Sequence, residues 1–205
     1  MKQEPGVIGV REAAARRLSI RSFTPTPVAH ADLFAILATS SQAPSAFNLQ
    51  PWRFIVVERD DLKFALAEAL SQYPQALSAP ALIVLYTDTA DAIGNLDDIL
   101  DPRLPAETRD RTRSAVRRTF AGKSDGERET WGAQQGHIAL GYLLLAAEEQ
   151  GYQAFPMLSV DAGQVRLVLD LPHHAHLVAV VAIGFGAECT PPPQHHALER
   201  IVRFA

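Results

Sequence analysis

The chain has 205 residues, of which 47% are hydrophobic, with Lys+Arg 19 set against Asp+Glu 23 for a formal net charge of −4. That size and apolar content suit one domain with a continuous core and exclude disorder of the whole chain. The slightly acidic balance gives no global basic field for nucleic acid or an anionic membrane, so any anion site must be local.

Met1 to Pro5 lack the charged and hydrophobic regions of a secretion signal, which makes the cytoplasm the expected location. Apolar residues at helical spacing predict helices over Ile8 to Arg17 and Ala31 to Ser41, the second with Val28, Leu33, Ile36 and Leu37 on one side. Between Gln42 and Trp52 two prolines and short polar residues break the periodicity and predict an ordered loop. Phe54 to Glu58 and Ala81 to Thr87 read as strands, with a helix over Asp61 to Ser71 between them. Asp97 to Glu129 is polar and rich in arginine; a surface helix with ion pairs at helical spacing and a lid over an anion-receiving site both fit it.

Trp131 to Gln150 is the strongest helix, with Ile138, Leu140, Leu143, Leu144 and Ala147 nearly encircling it, so it is expected to be buried. His137 on that helix reads as a core residue. Val160 to Leu171 predicts a short helix stopped by Pro172, and Leu177 to Ile183 a central valine-rich strand. The tail from Thr190 opens with prolines and cannot extend a sheet. The apolar runs Ile138 to Ala147 and Leu177 to Ala187 fall short of the ~20 residues that span a bilayer. Cys189 is the single cysteine, which excludes an internal disulfide, suits a reducing compartment and reads as a small packed hydrophobe. One α+β domain over 1–205 follows, with a lid-like excursion at about 97–129 and strands near 54–58, 81–87 and 177–185.

Two stretches carry the chemistry. In Arg16-Arg17-Leu18-Ser19-Ile20-Arg21, guanidinium groups and a hydroxyl just past a helix suit a phosphate or an electron-rich ring edge. Arginines placed on the carbonyl dipole of a helix end are the plain alternative. In Pro44-Ser45-Ala46-Phe47-Asn48-Leu49-Gln50-Pro51, a hydroxyl and two carboxamides offer donor and acceptor together, as a heterocycle edge alternating N–H and C=O requires. Turn residues satisfying their own backbone are the alternative there. The histidines at 173, 174, 176, 195 and 196 lack zinc-site spacing or a cysteine pair, and no metal is expected. Gly184-Phe185-Gly186 lacks the third glycine and the following helix of a dinucleotide fingerprint, so a nicotinamide cofactor would visit rather than reside.

The order and spacing of these stretches resemble the FMN-dependent nitroreductase family. So do Trp131 to Gln135 opening a long apolar helix, Glu149 to Met157 after it, Val165 to Pro172, and Ile183 to Gly186, and together they cover nearly the whole chain. The resemblance implies a central, mostly antiparallel sheet flanked by helices, a long buried dimer helix, and a homodimer with FMN at the subunit interface. It implies that Arg17, Leu18, Ser19 and Arg21 contact the phosphate, ribityl chain and N1/O2 side of the flavin, with Arg21 supporting the anionic reduced ring. Pro44, Ser45 and Asn48, backed by Gln50, would come from the partner subunit, and the backbone of Pro156, Met157 and Leu158 would lie near N5. Phe120 falls in the variable segment expected to shape the acceptor pocket. The activity implied is ping-pong hydride transfer from NAD(P)H through flavin to nitroaromatics or quinones. Enone reduction, reductive dehalogenation, oxygen-dependent flavin chemistry and a non-catalytic flavin carrier remain alternatives. The chain departs from the family at Leu158-Ser159, where many relatives have Glu-Gly, at Ala46 in place of a second serine, and near the C-terminus, where Lys or Arg often meets the phosphate and this chain has His195-His196, with Arg200 and Arg203 further on; His195 is the candidate phosphate contact among them.

Overall fold

The computed structural model describes residues 8–70, 74–188 and 191–205; Cys189 lies outside them. Helix α1 (Val10–Arg16) and helix α2 (His30–Ser41) precede strand β1 (Trp52–Val57), helices α3 (Asp60–Ala69) and α4 (Pro74–Ser78), and strand β2 (Ala81–Thr87). Helices α5 (Thr89–Gly94), α6 (Ala106–Phe120) and α7 (Asp125–Glu149) follow, then strand β3 (Gln153–Met157), helix α8 (Ala162–Leu169), strand β4 (His176–Gly184) and helix α9 (Leu198–Ile201).

The strands form a 4-stranded sheet in the order β1-β2-β4-β3, and each neighbouring pair is antiparallel. Strand β3 is absent from the elements that the sequence pattern predicts. Its Pro156 has no N–H for a ladder, which disguises the segment as irregular; a proline is tolerated because β3 lies at the sheet edge. The ladder slips between Leu85, opposite Ala179, and Tyr86, opposite Leu177, so Val178 is an extra residue bulged toward one face.

Each face of the sheet carries its own core. Trp52, Ile83, Leu85, Val181 and Ile183 pack beneath α2 and α7 through Leu33, Ile36, Leu140 and Leu143. On the other face Leu82, Val84, Val180 and Ala182 meet α3 and α8 through Leu66, Leu70 and Val165, with Ile20, Phe23 and Met157 completing the layer. Each fully buried leucine or isoleucine contributes about 1.5–3 kcal/mol by its removal from water. A third cluster of Leu49, Ala92, Leu96, Val116 and Phe120 joins α5 and α6 to the 46–50 loop.

Helix α7 begins at Asp125 rather than Trp131. Its first turns are polar, so apolar periodicity starts late, but the Ser124…Glu127 capping box marks the true start: each side chain bonds the other's backbone N–H. The excursion at 97–129 therefore ends inside α7. Burial of α7 is also less complete than its sequence suggests. Ile138 and Tyr142 are each 40% exposed, and His137 is an exposed residue whose Nδ1 lies 2.7 Å from its own-turn acceptor, the Ala133 carbonyl. The apolar residues encircle the helix, while this chain covers only part of it. Where α7 crosses the sheet it does so on glycine: a Cβ at Gly132 would stand 2.1 Å from Thr89 Oγ1, and one at Gly136 2.6 Å from Val178 Cγ2. Helix α8 ends at Leu169 through left-handed Asp170 (φ 52) before Pro172 is reached. No helix of the described residues is long and apolar enough to cross a membrane.

Candidate functional site

Past the end of α1 the chain leaves regular secondary structure. Ile20 is 4% exposed in the second core cluster with Leu18 packed beside it, while Ser19 and Arg21 stand exposed and Arg17 half-buried. These residues line a cleft of about 430 Å³ together with Leu18, Glu188, Pro191 and Pro193. Arg17 Nη1 lies 3.5 Å from Ser19 Oγ, and the Arg21 backbone N–H donates to Glu188 Oε1 at 2.8 Å. A bridge between Phe23 and Gly186 pins the segment to the end of β4. Two guanidinium groups and a hydroxyl around one open cleft form a donor set that fits a phosphate ester. Glu188 escaped the sequence reading because 167 positions separate it from Arg21 and no local pattern connects them. His195, proposed for the phosphate, belongs to the exposed tail, whose contribution to the cleft wall comes from Pro191 and Pro193.

The 44–50 loop is strained and heavily braced. Phe47 (φ 58), Asn48 (φ 57) and Gln50 (φ 46) all occupy the left-handed region without being glycine. Such a conformation costs about 1–2 kcal/mol per residue, less for asparagine, and persists only where the surroundings determine it. Ser45 Oγ accepts the Gln50 N–H at 2.9 Å, and Gln50 Nε2 donates to the Asn48 carbonyl at 3.2 Å. From α7, Gln135 Oε1 accepts the Ala46 N–H at 3.0 Å. From β1, Arg53 Nη1 donates to the carbonyls of Gln50 at 3.1 Å and Trp52 at 2.8 Å, while its Nη2 pairs with Asp91 Oδ2. Leu49, 2% exposed, anchors the loop in the third cluster. Ser45 and Gln50 thus satisfy the loop's own backbone, the simpler of the two roles the sequence allows, whereas Pro44 and the Asn48 side chain stand exposed.

Among the described residues, the cleft of Arg17, Ser19 and Arg21 takes in none of the 44–50 loop. Leu49 and Gln50 line a separate one of about 230 Å³ with Arg53, Asp91, Asn95 and Asp98. Pro156 and Met157 end strand β3; Met157 is 1% exposed in the same core cluster as Ile20, and Leu158 beyond it is 57% exposed. Phe120 is 4% exposed and stacks edge-to-face on Trp131 with centroids 5.0 Å apart, so in this chain it fills the third cluster rather than a cleft wall. Much of the arginine-rich segment is bound in exposed ion pairs, Arg111 with Glu107 and Arg113 with Asp97 and Asp110.

A polar group under α7 was not legible in the sequence. Glu129, 7% exposed, accepts from Thr89 N at 3.3 Å and Thr89 Oγ1 at 3.4 Å. Burial, with help from Asp88, pushes its carboxyl above the ordinary glutamate range against the lowering effect of those bonds and of His174. Asp88 caps α5 through the Asp91 N–H at 2.8 Å and meets His174 Nε2 at 3.0 Å.

Comparison with known proteins places this geometry. The model of the Nitroreductase family matches residues 14–185. A Thermus thermophilus protein named NADH dehydrogenase is 41% identical over 196 residues, covering 96% of each chain. A Thermotoga neapolitana protein named iodotyrosine deiodinase is 26% identical, covering 94% of this chain and 96% of its own. Among solved structures, a nitroreductase from Exiguobacterium sibiricum in complex with FMN superposes with a TM-score of 0.90 at 22% identity, each chain covered in full. The match runs from the last turns of α1 through the Arg17–Arg21 segment, the braced loop and the long α7 to the end of β4, and the chain belongs to the nitroreductase family.

Proposed function

We propose that this protein is an NAD(P)H-dependent FMN oxidoreductase that reduces small oxidised organic molecules such as nitroaromatics and quinones. The observation that carries the reading is the convergence of Arg17, Ser19 and Arg21 on one cleft. FMN, when bound, supplies the two-electron chemistry, so the protein needs orientation and electrostatics rather than a dedicated acid and base. Arg17 and Ser19 would hold the phosphate and ribityl end. Arg21 would face the N1/O2 edge and stabilise negative charge that develops there. Its backbone N–H, already committed to Glu188, holds the main chain of the segment at the cleft. Pro44, Ser45 and Asn48 of a second subunit would flank the ring, with Gln50 maintaining their shape, and the Pro156–Leu158 backbone would border the reactive face. The exposed Ile138 and Tyr142 stripe of α7 is the surface that such a homodimer would cover. The kinetic order is ping-pong: the oxidised nicotinamide leaves before the acceptor enters the same cleft.

The named activity of the Thermotoga relative supports reductive dehalogenation as a second reading on the same scaffold. The deciding experiment is the visible spectrum of the purified protein, then anaerobic addition of NADH and NADPH, then of each acceptor class. Flavin bands that bleach with a nicotinamide donor and return with nitroaromatics or quinones support the proposal. Return with halogenated phenols alone favours dehalogenation, and bands that neither donor bleaches indicate a flavin carrier. A colourless protein that takes up no FMN overturns the cofactor assignment.

A further inference from the structure

From the bracing of the 45–50 loop we infer that Arg53 and Asp91 are positioning residues: they lock the loop into the left-handed shape that presents Asn48, and thereby set flavin affinity and potential. The inference rests on the reading of that loop as a flavin contact. Three left-handed non-glycine residues within four positions would relax in a free loop. Ser45 and Gln135 each hold one backbone N–H and Gln50 Nε2 holds the Asn48 carbonyl, which leaves the Gln50 carbonyl, at the exit of the loop, to be fixed. Arg53 does this. One guanidinium nitrogen serves the carbonyls of Gln50 and Trp52, and the other is turned toward Asp91. Asp91 is itself immobilised, because its Oδ1 accepts Asn95 Nδ2 at 2.7 Å and its N–H donates to Asp88. The planar fork of arginine can reach the carbonyls and the carboxylate together, whereas a lysine ammonium on its flexible stem cannot hold that geometry. Strand β1 and helix α5 therefore act as one brace on a loop neither belongs to.

The test uses the full-length protein in four forms: wild type, Arg53→Ala, Asp91→Asn, and the double variant. Arg59→Ala serves as the control, since Arg59 forms an exposed ion pair with Asp61 just beyond the opposite end of β1. FMN affinity is read by flavin fluorescence, the midpoint potential of the bound flavin by redox titration, and the loop by amide hydrogen exchange of residues 46–50. Each single variant is expected to speed exchange at Ala46 and Gln50, weaken FMN binding about tenfold and shift the potential. The double variant is expected to be no worse than Arg53→Ala, because the two residues act as a unit. Arg59→Ala changes none of the three. Wild-type exchange in Arg53→Ala, or single losses that simply add, overturns the inference. A mere loss of stability would lower the melting temperature without moving the potential of the flavin that remains bound, and that pattern overturns it too. If the wild type binds no FMN, the functional reading fails by itself, while hydrogen exchange still decides whether the brace exists.

Discussion

Gly136→Ala tests how closely α7 is seated on the sheet. The new Cβ would lie 2.6 Å from Val178 Cγ2 and 2.9 Å from Thr87 Cγ2. Ordinary carbon contacts need about 3.5–4.0 Å, so the helix must lift by roughly 1 Å or the bulge at Val178 must move. Overpacking of this kind costs about 1–3 kcal/mol. Alanine returns about 1 kcal/mol of helix propensity, which leaves a net loss of up to about 2 kcal/mol. At about 2–4 °C per kcal/mol for a chain of this size, the melting temperature should fall by up to about 8 °C. Gly126, on the same helix, has nothing within 4 Å of a built Cβ, and Gly126→Ala should be neutral or slightly stabilising. Thermal unfolding followed by circular dichroism compares the two directly. A Gly136→Ala protein clearly more stable than wild type would refute the close crossing and its account of why glycine occurs there.

Arg21→Ala removes a charged donor from the cleft and should weaken FMN binding or slow flavin reduction by about tenfold or more, measured by fluorescence titration and anaerobic stopped flow; both values unchanged would sink its assignment. Ser124→Ala breaks the capping box of α7 and should cost about 1 kcal/mol, visible as a lower denaturation midpoint. Glu129 predicts a pH dependence. Because burial raises its carboxyl in the folded state, that state holds the proton longer than the unfolded chain. The contribution is complete below the ordinary glutamate value and is lost as pH rises through the raised one. Glu129→Gln should flatten this segment of the stability profile in denaturant titrations across pH, and an unaltered slope would exclude Glu129 as its source.

The sequence carried most of the elements whose periodicity is their own. Strand β2 runs from Ala81 to Thr87 as its apolar pattern predicts, and α2 buries Leu33 and Ile36 as their spacing requires. Features set by distant partners were not readable. Strand β3 is short, contains proline and is a strand only because Gln153 to Met157 pair with β4. The left-handed residues of the 46–50 loop carry no glycine to announce them, since their strain is met by Gln135 and Arg53 from other elements. Glu188 and Glu129 matter through contacts many residues away. Arg17, Ser19 and Arg21 stand within five residues just past a helix, so their grouping at one cleft is a local pattern that needs no distant partner to be read.

The separation of the two site halves leads to a decisive test of the proposed dimer. Arg17, Ser19 and Arg21 line one cleft, and the Gln50 end of the braced loop lines another. If one flavin needs both sets, they must come from two chains, and a two-fold dimer then contains two identical sites, each a hybrid. A chain carrying Arg17→Ala and Arg21→Ala damages both sites of its own homodimer, and so does a chain carrying Ser45→Ala and Asn48→Ala. Unfolding and refolding the two together lets subunits exchange. Random pairing makes about half of the dimers mixed, and each mixed dimer holds one intact site and one doubly damaged site. FMN binding and NADH-driven turnover should therefore recover to about one quarter of the wild-type site number, from near zero in either parent. Sites built within single chains would show no recovery at any mixing ratio, because every chain would still carry its own damage.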